Sequence, residues 1–495
     1  DGSTKVAGIL GGAVNKFDFG NISNENAAAT SIGDRFAKTV ESQGTGSITI
    51  TANSTKTVEN DDGTTSTVTI GEGNVGLYYG NKGEGITTTG GDLTVNATGD
   101  VYVDSDLDIG DNLTFNGTGA DSEVVLDITN IGEVQEKNDN TDADNSTDYL
   151  HDFLEHFANT TNNSISFGDT QDAKITVDMW NGNTLDLTKF NNGSTSLVAQ
   201  LGKLHITDAG TKTAQQLTHI WVSNGEQLKG IQKAANSNDD VLSYNFALKN
   251  DINASDVEDY VAIGTGNKDA SGNEIGFTGT FDGRGNRIIG LDTTKDSNGG
   301  NSNTLTNAGI FSTVGKDGVV KDVNIYSGTF TGTTTAGAVA GVNSGRIEGI
   351  VTFGNTVTSN GNAGGIVGVN NSGSFSKNET TGSTNDGVLT NGIYDVESTG
   401  SVIAGSSTAV AGGLVGTNDG GLANSFSDSA VTVKVDNQNP VTTAGGLGGV
   451  VGVNTEKGNV QYVDSLGVTN GGATGSSNIA VSYTHLRAHE TSQDL

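Results

Sequence analysis

The chain has 495 residues with 74 glycines, one proline and no cysteine, and its 25 basic against 58 acidic side chains give a formal charge of −33. So acidic a chain disfavours nucleic acid and anionic membranes as partners, since both demand basic surfaces, and without cysteine it forms neither disulfides nor thiolate metal centres. No apolar run reaches the roughly 18 residues that a membrane-crossing helix needs.

Glycine lacks the every-third-residue period of collagen, and Asn, Thr, Ser and Asp crowd the intervals between Val and Ile, a composition that predicts many short strands and turns. In the first region, 1–139, GGDLTVNATG (Gly90–Gly99) aligns with GDNLTFNGTG (Gly110–Gly119) at an offset of 20, which sets Leu93 on Leu113 and Val95 on Phe115. That offset is about one coil of a parallel β-helix. Between the two, Val101, Val103, Leu107 and Ile109 alternate with acids, so Asp104, Asp106 and Asp108 form an outward row. The tract resembles the repeats of two-partner-secreted haemagglutinin-like proteins.

Residues 140–163 break the pattern. An acidic loop leads into Tyr149, Phe153 and Phe157, with Leu150 and Leu154 alongside, the spacing of an amphipathic helix. Ser146 or Thr147 would cap this insertion at a corner of the strand pattern. His151 and His156 are five apart, where a zinc-binding helix needs four, and read as surface residues. Asp104–Asn112 places Ile109 and Phe115 where a calcium loop needs Gly and Glu. Weak calcium binding at Asp104, Asp106 and Asp108, or at Asp139, Asp142 and Asp144, is the most these acids suggest. No cofactor, catalytic residue or metal centre is predicted.

Strand character resumes over 164–220. In 221–300, Ser223 with Glu226 forms a capping box that predicts a helix from Asn224 to Ala235, with Leu228 and Ile231 facing the core. GTFDGRGNRIIG has Ile288 where a dinucleotide-binding fingerprint needs its third Gly, so Asp282-Gly283 reads as a tight turn with Phe277 and Phe281 on one face. The sequons at Asn96, Asn112, Asn116, Asn253 and Asn378 are expected by chance in such a composition.

The region 301–470 is built on four copies of one octapeptide: AGAVAGVN (Ala336–Asn343), AGGIVGVN (Ala363–Asn370), AGGLVGTN (Ala411–Asn418) and LGGVVGVN (Leu447–Asn454). A truncated form, AGIF, begins at Ala308, and successive starts are 28, 27, 48 and 36 apart. Eight residues cannot bury their own apolar side, so the copies must stack, with loops of variable length between them. This places Gly337, Gly364, Gly412 and Gly448 at close backbone corners, and Asn343, Asn370, Asn418 and Asn454 in a column whose amides hydrogen-bond. The long interval, including Gly387–Gly405, predicts an extra coil or hairpin projecting from the stack.

These copies resemble the GLUG repeats of large bacterial surface and secreted proteins, including filamentous-haemagglutinin-like adhesins. Phe277–Leu291 (FTGTFDGRGNRIIGL), Trp221–Gln232 and Tyr244–Ser255 are similar to the segment that introduces such repeats. The fold expected is all-β, a right-handed parallel β-helix with one or two short decorating helices. The resemblance implies a non-enzymatic, surface-exposed or secreted adhesin rod. Its partners would be a cell-surface receptor or glycan and an outer-membrane transporter for export. The alternatives are a carbohydrate-active β-helix enzyme such as a polysaccharide lyase, or a passive stalk. Asp1 and the missing signal-peptide pattern suggest a fragment, and 482–495 reads as a foreign tail.

Overall fold

The computed structural model describes residues 91–129, 147–189, 197–207, 212–374, 389–434 and 444–470 apart from short gaps, together with eight strands ahead of Gly91. The chain divides into two compact units between Ile220 and Trp221, with Trp180–Leu185 belonging to the second.

The first unit is dominated by parallel ladders. In one, Ile48–Ala52, Leu93–Ala97, Leu113–Gly117, Ile165–Ser166 and Ile206–Thr207 pair in succession. Leu93 lies opposite Leu113 and Val95 opposite Phe115, and all four are fully buried. Another ladder joins Val75–Tyr78, Val101–Asp104, Glu123–Asp127 and Asp172–Val177. The alternation read from Val101 to Ile109 puts Val101, Val103, Leu107 and Ile109 inside. The side chains of Asp106 and Asp108, and the whole of Asp139, Asp142 and Asp144, lie outside the described residues. The earliest strands depart from the expected parallel coil. Val6–Ile9 pairs antiparallel with Ile48–Ala52, and Thr55–Glu59 pairs antiparallel with Thr65–Thr69. Only five residues separate the latter two, too few for the crossover that parallel pairing requires.

The second unit is a set of five parallel ladders to which each repeat contributes in turn. The first runs Phe246, Phe281, Val320, Ile347, Ile393, Leu422 and Val460. The second runs Ile252, Ile288, Ile325, Thr352, Ser398 and Ser427. The third runs Phe330, Val357, Val402 and Val431. The fourth stacks Ala308, Ala336, Ala363, Ala411 and Leu447, and the fifth stacks Phe311, Ala340, Val367, Val415 and Val451. Apart from half-buried Val460, every residue just named is buried, so the ladders enclose an apolar interior that no isolated repeat could shelter.

Single left-handed residues bend the chain from the first ladder to the second. Asp322, Gly349, Asp395, Asn424 and Tyr462 occupy successive equivalent positions, with φ of 53°, 62°, 52°, 52° and 52°. Gly290, Ser327 and Gly354 make the next bend, with φ of 75°, 56° and 67°. The strand Arg346–Ser359 passes through both bends without leaving the ladders. Its partner Gly392–Ala404 does the same, so this part of the long interval lies in the ladders instead of projecting from the stack, while 375–388 lie outside the described residues. Ile393, Val396 and Val402 match Ile347, Ile350 and Val357 in register, and the excess length falls between Asn370 and Gly392 instead.

Both expected helices are present. Thr147–Ala158 (α1) buries Phe153, Leu154 and Phe157. Leu197–Leu201 (α2) and Ala214–Leu217 (α3) were not read from the sequence, nor was the 3-10 turn Asp239–Ser243. Gly225–Ala235 (α4) buries Leu228 and Ile231 as expected, but its N-cap is Asn224 rather than Ser223. The Asn224 carboxamide accepts the Gln227 N–H at 2.9 Å, while Gln227 Oε1 accepts the Ser223 N–H at 2.7 Å.

Candidate functional site

The recurring octapeptide residues serve the interior. Gly337, Gly364, Gly412 and Gly448 lie opposite one another in the fourth ladder. A methyl group at Gly364 would collide with the carbonyl oxygen of Val367 and sit 2.6 Å from that of Leu414 in the next repeat. Glycine is required here by close backbone approach rather than by positive φ. At the end of the fifth ladder the asparagines form a continuous amide column: Asn343 Nδ2 donates to Asn370 Oδ1 at 2.9 Å, Asn370 to Asn418 at 2.8 Å, and Asn418 to Asn454 at 2.8 Å. The first three are fully buried and Asn454 is exposed. The column begins at Asn343 because the truncated copy supplies Val314 opposite it.

His156 is half-buried, with Nε2 3.3 Å from the Asp111 carbonyl, and Glu155 points outward. Asp104 is the last residue of its strand, paired in register with Tyr78. Phe277 and Phe281 are both buried, and Phe311 packs against them at ring distances of 4.9 and 5.4 Å. Asn96 and Asn112 are engaged in hydrogen bonds with the neighbouring coil, Asn116 Nδ2 donating to Asn96 Oδ1 at 2.7 Å and Asn112 Nδ2 to Asp92 at 2.9 Å.

The outward positions of the repeats vary from row to row. Across the bend between the first and second ladders, five rows present Lys321–Tyr326, Glu348–Phe353, Tyr394–Thr399, Ala423–Asp428 and Gln461–Leu466. Among the described residues, all four exposed large apolar side chains are here: Phe353, Tyr394, Tyr462 and Leu466, from 40% to 73% exposed. Tyr326 lies beside Phe353 at a ring distance of 5.8 Å, and Tyr394 Oη accepts from Asn424 Nδ2 at 3.1 Å. Asp395, Glu397, Asp428 and Asp464 are exposed between them. Of the nearby cations, Lys321 binds Asp282 at 3.1 Å and Asp322 at 3.6 Å, and Arg346 Nε binds Glu348 at 2.6 Å. Sequence reasoning missed this face, although Tyr326 and Phe353 are 27 apart, the same interval as Ala336 and Ala363.

Another charged pair flanks the lead-in, where Arg287 Nη2 meets Asp251 at 2.6 Å. Hydrogen bonds from the Arg287 side chain and backbone hold the Asp251 carboxyl below its ordinary 3.8. No helix among the described residues is long and apolar enough to cross a membrane.

Comparison with known proteins adds little to this geometry. No family model and no curated protein matches the chain. A solved structure from Bacteroides ovatus, described as a "putative immunoglobulin A1 protease", is similar over 51% of this chain and 67% of its own, at 18% identity and a TM-score of 0.37.

Proposed function

We propose that this chain is part of a non-enzymatic bacterial adhesin, secreted or held at the cell surface, whose repeats wind as a right-handed parallel β-helix and carry an attachment face. The observation that supports this best is a division of labour within each repeat. Positions that recur are inward and structural, the alanines, glycines and asparagines of the fourth and fifth ladders. Positions that differ from row to row, such as Asn324, Val351, Glu397, Phe426 and Asp464, fall on the outward side. A scaffold that repeats inside and varies outside presents many chemistries on one rigid support. The resemblance to GLUG-repeat proteins points the same way, and implies export through an outer-membrane transporter.

The test is attachment. The fluorescently labelled chain is expected to bind saturably to epithelial or bacterial cells and to be displaced by unlabelled chain. Loss of polysaccharide viscosity with release of unsaturated sugar products, and no cell binding, would overturn this reading in favour of a lyase.

A further inference from the structure

Resting on the attachment reading, we propose that the face spanning the bend between the first and second ladders binds an extended, Lys- or Arg-rich polypeptide segment. Three observations converge on this face. All four exposed large apolar side chains among the described residues lie on it, and such concentration marks an interaction surface rather than ordinary exposure. Its charge is one-sided: none of the residues in Tyr394–Thr399, Ala423–Asp428 or Gln461–Leu466 is Lys or Arg, while Asp395, Glu397, Asp428 and Asp464 are exposed there. Finally, Tyr462 adopts φ +52° at a position where the preceding rows use Asp, Gly, Asp and Asn. A bulky side chain is unfavourable there by about 1–2 kcal/mol, and Tyr462 is held there 53% exposed.

The chemistry selects the occupant. Aromatic rings interleaved with carboxylates suit guanidinium and ammonium groups, which stack on the ring faces and pair with the acids. A second copy of this chain is disfavoured because each carries −33, and anionic glycans meet the same repulsion. Five rows at about 4.8 Å, each crossed by about six residues, give a face about 20 Å on a side. That matches a peptide of several residues rather than a domain, so single-site affinity should be modest and strengthened by multivalency.

The experiment uses the full chain and a labelled peptide of alternating Arg and Gly, read by fluorescence anisotropy at low and physiological salt. Binding is expected to weaken at least tenfold in the combined variant Glu397→Gln, Asp428→Asn, Asp464→Asn, and several-fold in Phe353→Ala with Tyr394→Ala. It should be unchanged in the charge-matched control Asp256→Asn, Asp317→Asn, Glu456→Gln. Equal weakening by the control would mean that only overall charge attracts the peptide, and would overturn the proposal. So would preferential binding of a neutral oligosaccharide, or no peptide binding at all. Cell attachment that survives in the face variants would sink this inference while leaving the adhesin reading intact; loss of attachment by the unaltered chain would sink both.

Discussion

Replacing Asn370 tests whether the amide column holds the repeats together. Its side chain is fully buried and makes three well-formed bonds: it accepts from Asn343 Nδ2 at 2.9 Å and donates to Asn418 Oδ1 at 2.8 Å and to the Gly421 carbonyl at 3.1 Å. Asn370→Ala removes all three and leaves their partners buried without water to replace the lost bond. At about 1–1.5 kcal/mol for each bond, with a similar penalty for at least one orphaned group, the loss should be about 4–6 kcal/mol. Asn454→Ala removes comparable bonds, from Asn418 at 2.8 Å and to the Gly458 carbonyl at 2.9 Å, but at an exposed site. Solvent substitutes there, and about 1 kcal/mol is expected. Because repeats open locally, native-state hydrogen exchange is the suitable assay. The Asn371 N–H, bound to the Asn343 carbonyl at 2.8 Å, and the Asp419 N–H, bound to that of Asn370 at 2.7 Å, flank the altered site. Equal acceleration of these amides by the two substitutions, or none from Asn370→Ala, would refute the argument.

Gly364→Ala should destabilise by about 3 kcal/mol or more, or prevent folding, because the Val367 carbonyl of its own repeat and the backbone of the next occupy the added methyl's place. Gly182→Ala, at φ +59° with nothing within 4 Å, should lose only about 1 kcal/mol, a contrast readable in thermal melts. Gln232→Ala deletes bonds to the Thr265 carbonyl at 3.0 Å, to Asn267 at 3.1 Å and from the Gly264 N–H. Circular dichroism during urea unfolding should show α4 melting at lower denaturant by about 2–4 kcal/mol of stability. The Asp251–Arg287 pair lowers the folded-state carboxyl pKa, so its contribution is complete above 3.8 and is lost as pH falls below that value through the folded pKa. Asp251→Asn should therefore lower stability at neutral pH, leave it unchanged in strong acid, and so flatten the acid limb of a stability–pH curve; an unchanged acid limb would contradict the assignment.

The repeat motif made its own arrangement legible. Alternation of Val and Ile between glycines, a shared Asn, and recurrence of the whole string left few ways to bury the aliphatic side chains. The same holds for Leu93 over Leu113. The interval before Gly392 misled because length alone was weighed, although Ile393, Val396 and Val402 carry the same spacing as Ile347, Ile350 and Val357. The N-cap of α4 slipped by one residue because Ser223 and Asn224 can both accept a helix N–H, and the choice depends on Gln227 reaching back to the Ser223 amide. The short helices Leu197–Leu201 and Ala214–Leu217 are too brief to show a period. The outward face was hidden for a different reason. Its members lie in separate rows, and only the register of the ladders brings Phe353 near Tyr326 or places Tyr394 two rows from the Tyr462 row.

The single-residue bends make the outward face a grid of fixed pitch. From the first ladder's last position to the matching one of the second is five positions in each of the five rows of this face: Lys321 to Tyr326, Glu348 to Phe353, Tyr394 to Thr399, Ala423 to Asp428, Gln461 to Leu466. Insertions are diverted to other corners, chiefly between Asn370 and Gly392 and between Val433 and Gly446. Substitution can thus rewrite the chemistry at any peg of the board without moving its neighbours, as type is changed in a printer's frame whose slots stay put.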